Sequence, residues 1–312
     1  MSGLRIAVLM GGESAEAEVS RNSAHQVAQA LSESGHESLL VELDSVCAQT
    51  LIGMQPDAVF PALHGPPGED GTVQGFLEML GLPYVGSGVK GSALAMDKAL
   101  AKRLFAEHGL PVAPSVVIAQ STQHLGDEIQ RVIREIGRSV VIKPLSQGSA
   151  IGVTPLPNGG DLDAAIKDAL SYGDCLVESY VMGKEITVGV LEVADELVAH
   201  PVIEIVTATD AWYDYESRYT VGKSEHLIPA VLPVDVGKLL QDIAMRAHRC
   251  LGLRDLSRAD YIVTEANEIV LLEVNTLPGM TPTSLYPEGA QHLGYEFTDL
   301  VDLLVRQAAA RG

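Results

Sequence analysis

The stretch IVLLEVNTLPGMTPTS, residues 269 to 284, sets Glu273 and Asn275 inside a run of aliphatic residues. A carboxylate taken out of water is costly unless a cation or a strong donor stands beside it, so Glu273 in an apolar strand asks for a metal. In RADYIVTEANEIVLLEVN, two extended runs are separated by EANE, a composition suited to a hairpin turn. Side chains alternate at period two along a strand; Glu273 and Asn275 therefore share a face, and antiparallel pairing can bring Asp260 to it. Three oxygen donors of this kind suit magnesium carried with substrate phosphates better than a closed calcium cage. The competing reading is a solvent-facing sheet edge, and the aliphatic neighbours of Glu273 argue against it.

A second constellation supplies positive charge: Lys98 in MDKALAK and Lys143 in VVIKPLSQGSAIG. Lys143 ends a strongly apolar strand, and Gly148 and Gly152 after it let backbone N–H groups approach phosphate oxygens. Alone, such a loop and such lysines are ordinary surface features. GKS at 222 to 224 imitates the end of a P-loop, but the glycine needed five residues earlier is Ser217, and no strand immediately precedes the segment. The MGG after the first strand does not continue into a dinucleotide fingerprint either. His64 in ALHGPPGED follows an apolar strand, where a loop residue faces a cleft at the sheet's carboxyl edge; a structural histidine is the equal alternative. His248 and Cys250 read as packing residues, and no nucleophile elbow or histidine-rich metal spacing occurs.

The elements that must position these groups alternate at first: strand RIAVLM, a helix opened by GGESAEAEVS and running to about Ser34, strand SLLVEL, strand DAVFPALHG, helix TVQGFLEML. That order implies a parallel sheet with helices on its faces. A further helix is expected from about Gly91 to His108, stopped by Gly109 and Pro111. The middle segment, with SVVIKP, VTPL, a helix DLDAAIKDALSYG and CLVESYV, has the size of a small α+β lid. After Glu185 come strands and an amphipathic helix from about Val234 to Leu251, with Leu239, Leu240, Ile243, Ala244, Ala247 and Leu251 as its apolar stripe and Gly252 as its cap. The class is α/β with α+β parts, divided at residues 1–96, 97–184 and 185–312.

Over 312 residues, 46% hydrophobic and 4% aromatic content fits an ordinary globular chain with substantial cores. A net charge of -20, from 41 acidic and 21 basic residues, argues against a nucleic-acid or anionic-membrane surface. Cys47, Cys175 and Cys250 show no paired spacing, the start LRIAVLMGG is no signal peptide, and no apolar run is long enough to span a membrane. A soluble, cytoplasmic protein is expected.

Taken together, the chain resembles the D-alanine:D-alanine ligases of the ATP-grasp superfamily. The resemblance runs through GGESAEAEVS, PALHGPPGEDGTVQGFLEMLGLPYVGSG, AMDK, VIKPLSQGSAIGV, YDYESRY, SRADY and LLEVNTLPGMTPTSL, covering nearly the whole chain. It implies three domains: an N-terminal parallel-sheet domain, a central lid and a C-terminal catalytic domain, with ATP held between the last two. Carried over residue by residue, it implies that Glu16 meets the ammonium of the first D-alanine, while Ser149 and Tyr219 hydrogen-bond with it to close the site. Lys98, Lys143 and Arg218 would contact the phosphates, while Glu178, Ser179, Val181 and Glu185 line adenine and ribose. Asp260, Glu273 and Asn275 would bind two magnesium ions, for which manganese can substitute. Arg258 and the N–H of Gly279 would meet the oxyanion, Ser284 and Leu285 the second carboxylate, and His64 joins the catalytic set. A homodimer is also expected. Gln147 and Ala150 stand where the family commonly has Glu and Ser, and Arg218 where Lys is common.

The implied reaction joins two D-alanines through an acylphosphate, releasing ADP and phosphate for peptidoglycan precursor synthesis. A ligase making a depsipeptide or a D-alanyl-D-serine product is the rival enzyme, and a catalytically silent nucleotide-binding regulator the rival from another class. The intact set of charged residues speaks against silence.

Overall fold

The computed structural model describes residues 3–14, 16–207 and 224–312. The first sheet has β1 (Arg5–Met10) between β2 (Glu37–Glu42) and β3 (Ala58–Pro61), all parallel. Its central strand is apolar on both faces, as a buried parallel strand must be. Ile6 and Val8 share a cluster with Ala24, Val27 and Leu31 of helix α1 (Ala17–Glu33) and with Leu300, Val301, Leu304 and Val305 of the C-terminal helix Phe297–Ala309. Ala7 and Leu9 point the other way, toward Leu51 of α2 (Cys47–Met54) and Val73 and Leu77 of α3 (Thr72–Met79).

The second sheet, in the order β4 (Ser115–Ile118), β7 (Cys175–Ser179), β5 (Val140–Pro144) and β6 (Thr154–Leu156), is antiparallel and two-faced. Val140, Ile142, Cys175 and Val177 enter an apolar cluster with α6 (Leu125–Glu135) and α7 (Leu162–Leu170). Period-two alternation turns Val141, Lys143, Leu176 and Glu178 to the opposite face, where Leu176 packs on Ala99 of α5 (Lys98–Glu107).

The third sheet runs β11 (Ser224–Leu227), β10 (Ile203–Thr207), β8 (Lys184–Val193), β12 (Leu256–Val263) and β13 (Ile269–Asn275), with β9 (Glu196–Ala199) paired to β8. Ile186, Val188, Val190, Ala259, Tyr261 and Val263 face a core shared with helix Val234–Leu251 and with Ala101 and Phe105 of α5. On β13, strict alternation would set Ile269, Leu271, Glu273 and Asn275 on one face, the aliphatic pair together with the polar pair. A register shift resolves this conflict: Tyr261 pairs with Leu271 but Asp260 pairs with Glu273, leaving Leu272 as one extra residue in the strand. Ile269, Leu271 and Val274 thereby stay in the core, while Glu273 and Asn275 join Arg258 and Asp260 on the other face.

Several expectations need correction. The helix expected from Gly91 to His108 is two helices, α4 (Val89–Met96) and α5, because Asp97 is extended and its carboxylate accepts from the N–H groups of Ala99 and Leu100 as an N-cap. The short elements α2, β4 and α6 were not anticipated from the sequence. Leu239 is 49% exposed, so the apolar stripe of its helix is carried by Val236 with Leu240, Ile243, Ala244, Ala247 and Leu251. That helix ends as expected, at Gly252 in the left-handed region.

One packing detail makes a prediction. His200 is fully buried, with its ring 4.6 Å from that of Tyr286, and a Cβ on Gly189 would lie 2.2 Å from His200 Nδ1. Gly189→Ala is therefore expected to destabilise the fold by roughly 1–3 kcal/mol, the usual cost of overpacking. Urea unfolding reads this directly, and an unchanged midpoint would show that the ring has room to move.

Candidate active site

Helix α5 starts at the Asp97 cap and carries Lys98 and Lys102 one turn apart, on the same face. Lys98 Nζ donates to the carbonyl of Gln147 at 2.6 Å and lies 3.5 Å from Glu273 Oε2. Because the main chain of residue 147 makes this contact, the Gln147 side chain is not needed for it. Lys102 Nζ meets Glu178 Oε2 at 2.6 Å, and Lys143 Nζ meets Glu178 Oε1 at 2.5 Å. All three groups are buried. Burial alone would raise the Glu178 carboxyl, but the flanking Lys143 and Lys102 outweigh it and hold the group below the usual range. Burial would likewise lower Lys143; Glu178 and Glu273 overcome it and leave the ammonium above the ordinary value. Lys102 lies below that value: burial is the largest cause, and repulsion from Lys143 offsets part of what Glu178 restores.

On the facing sheet, Asp260 is the hub. Arg258 donates through Nε (2.9 Å) and Nη2 (2.8 Å), Thr187 Oγ1 through its hydroxyl (2.6 Å), and Asn275 through its amide (3.0 Å). Glu273 is paired with Asp260 across the strands. The structure thus brings the three expected oxygen donors to one face, opposite the lysines. Among the described residues no group of three histidine, cysteine or acidic side chains converges; the donors are two carboxylates and an amide. Such a set fits a hard divalent cation that arrives with phosphate oxygens to complete its shell.

At the first sheet's carboxyl edge, Glu16 is 5% exposed and stands at the start of α1. Ser149 Oγ, from the loop after β5, donates to Glu16 Oε1. Gly65 and Gly148 come so close that a Cβ on either would lie 2.9 Å or 3.1 Å from Glu16 Oε2, and Gly65 also has φ of +64°. His64 is 8% exposed, its Nε2 3.3 Å from Ser23 Oγ, and burial with Arg258 nearby pushes its pKa down to about 4. It is a neutral imidazole at pH 7. Glu69 accepts from the Gly65 N–H at 2.7 Å, and burial and then Glu16 push its carboxyl up to about 8.

Gly279 lies in the turn after β13, and Ser284 Oγ is 2.8 Å from Thr281 Oγ1 at the head of the helix Leu285–Gln291, with Leu285 buried. Ser179 ends β7, Val181 lies in the crossover to β8, and Glu185 is on β8 two residues from Thr187, so they share a strand face. Arg218 and Tyr219 lie outside the described residues. Lys102, Thr187 and Glu69 were not singled out from the sequence. Lys102 carried a readable signal, its spacing of four from Lys98 on a helix; Glu69 and Thr187 carried none.

Lys98 and Lys143 on one side, two carboxylates and an amide on the other, and the buried Glu16 beyond them line one cleft, with Lys102 bonded to Glu178. Known proteins resemble this chain over nearly its whole length. The family model described as "D-ala D-ala ligase C-terminus" matches residues 104–306, and the one described as "D-ala D-ala ligase N-terminus" matches residues 47–87. A D-alanine–D-alanine ligase of Desulforudis audaxviator is 47% identical over 98% of this chain and 99% of its own length. The Bacillus anthracis D-alanine–D-alanine ligase solved in complex with ATP superposes with a TM-score of 0.83 at 27% identity, covering 99% of this chain and 98% of the other. The VanG D-Ala:D-Ser ligase of Enterococcus faecalis superposes with a TM-score of 0.83 at 30% identity, over 98% and 99% of the two chains. The parallel first sheet, the two antiparallel sheets and the cleft between them are those of an ATP-grasp ligase, and the chain belongs to the D-alanine–D-alanine ligase family.

Proposed function

We propose that this protein joins two D-alanines to D-alanyl-D-alanine at the expense of ATP, for peptidoglycan precursor synthesis. The observation that carries this is the opposition of Lys98 and Lys143 to Asp260, Glu273 and Asn275 across one cleft, with Glu16 at its far end. ADP release that depends on D-alanine tests it; nucleotide binding without such turnover would leave only the silent regulator.

In this reading Lys98 and Lys143 hold the ATP phosphates with Arg218, and Glu178, Ser179, Val181 and Glu185 line the nucleoside. Asp260, Glu273 and Asn275 would hold two magnesium ions, or manganese, which neutralise phosphate charge when bound. Glu16 fixes the first substrate's ammonium, with Ser149 and Tyr219 closing over it, and His64 adds a neutral donor or acceptor at this edge. The first carboxylate attacks the γ-phosphate to give an acylphosphate and ADP. The second amine, held through its carboxylate by Ser284 and Leu285 and once deprotonated, attacks the acyl carbon. Asp260 orients the Arg258 guanidinium, which with the Gly279 N–H meets the tetrahedral oxyanion; collapse releases dipeptide and phosphate. Positioning and fixed electrostatics supply most of the acceleration. The contact between Ser149 and Glu16 supports closure of the loop after β5 over the first substrate, shielding the acylphosphate from water.

The proposal includes the three-domain division at 1–96, 97–184 and 185–312, a homodimer and a cytoplasmic location. Among the described residues no helix is long and apolar enough to cross a membrane.

The acceptor makes its own prediction. An amine reacts only when unprotonated, whereas the hydroxyl of D-lactate has no ammonium to lose. Dipeptide formation is expected to rise as pH goes from about 6 toward 9, through the ordinary α-amino range near 8. Equimolar D-lactate should add little depsipeptide even at pH 6. Product ratios by mass spectrometry read the outcome; predominant D-alanyl-D-lactate at neutral pH would overturn the dipeptide assignment and keep the acylphosphate step.

A further inference from the structure

Three observations single out Lys102. Its side chain is 5% exposed, and that of Glu178 3%. The two oxygens of Glu178 are divided, Oε1 to Lys143 on the neighbouring strand and Oε2 to Lys102 on the helix above. Lys102 also lines a groove of about 360 Å³ with Arg103, Arg131 and Glu135, a groove whose lining does not include Glu178. Its ammonium is bonded to the buried carboxylate of Glu178. Fold stability alone does not call for the arrangement, because the opposite face of the same sheet is packed with Val140, Ile142 and Val177, and aliphatic packing generally matches or exceeds a buried ion pair.

Charge counting gives the arrangement a purpose. With Lys143 alone, Glu178 would form a closed neutral pair and the lysine's attraction for a phosphate would be spent internally. With Lys102 present, two cations share one carboxylate and a positive charge remains at the cleft. We propose that Lys102 is a positioning residue of the nucleotide site, which neutralises Glu178 from the side of α5 and so leaves Lys143 for the phosphates of the nucleotide. This rests on the reading of the cleft as an ATP site.

The test measures ATP and D-alanine kinetics together with equilibrium ADP binding. Lys102→Met is expected to raise the KM for ATP and weaken ADP binding by about tenfold, the scale of one charge-assisted contact. Both kcat and the KM for D-alanine should stay within about threefold, and Lys102→Arg should restore the ATP KM. In a Glu178→Gln background, where no carboxylate needs neutralising, adding Lys102→Met should change the ATP KM by less than about twofold. An equal cost in both backgrounds, or a parallel loss in kcat and in the D-alanine KM, overturns the proposal. Should Lys102→Met alone fail to fold, Glu178→Gln and Glu178→Gln/Lys102→Met decide the matter, since neither leaves a carboxylate in the pocket. A twofold or smaller difference upholds the proposal and a larger one overturns it. Absence of D-alanine-dependent ADP release in the unmodified protein would instead sink the assigned reaction, and ADP binding would still report on Lys102.

Discussion

Glu273→Gln is expected to fold normally and to lose turnover by at least about a hundredfold, because a neutral amide of nearly the same shape binds a divalent cation far more weakly. The fold should not suffer: the Glu273 side chain is 27% exposed, and its contact with Lys98, at 3.5 Å, is the kind of partly solvated ion pair that contributes little. Lys98 keeps its bond to the Gln147 carbonyl in any case. Removing the charge also relieves Lys143 of one of the two carboxylates that raise it, so nucleotide binding without metal should hold or strengthen while catalysis falls. Turnover as a function of magnesium concentration, beside nucleotide binding in a chelator, separates these effects. Unchanged activity at saturating magnesium and ATP would remove Glu273 from the metal set.

Arg258→Ala should cost roughly a hundredfold or more in kcat, the usual scale for losing one donor to a developing oxyanion. Its guanidinium is held by two bonds to Asp260 and its side chain is 13% exposed, so in the proposed role it would meet the oxyanion already oriented. Thr187 and Asn275 still donate to Asp260 in the variant, which limits the structural damage. Arg258→Lys should recover little, since an ammonium cannot keep the two-point grip on Asp260 and still serve the substrate. A loss confined to the KM for ATP would assign Arg258 to the nucleotide instead.

How much of this was legible in the sequence depended on whether a residue looked out of place. Glu273 and Asn275 were visible because they interrupt an aliphatic strand, and Lys143 because it ends one. Lys102 was passed over because a lysine in a helix normally belongs at the surface, and only the packing of α5 on the face of Leu176 shows that its position points inward. The break at Asp97 was readable in principle, since aspartate is a preferred N-cap, but the apolar pattern ran through it. Exposure of Leu239 depended on which side of the helix meets the third sheet, a tertiary fact. The bond from Ser149 to Glu16 was reached only through the family resemblance, since no local pattern links residues 133 positions apart.

The extra residue in β13 has a consequence for how this site tolerates change. Glu273 faces the cleft because Leu272 is left out of the ladder; drawn back into regular pairing, the same residues would turn Glu273 and Asn275 toward the core. The placement of the acid is thus held by the pairing of the two strands and not by the alternation of its own strand. Losing Leu272 would make Leu271 and Glu273 immediate neighbours on opposite faces of a regular strand, so Glu273 and Asn275 would still face the cleft and Val274 the core. A chain of this kind can give up the bulged residue and keep its acids in phase, whereas ironing the bulge flat at full length would lose them.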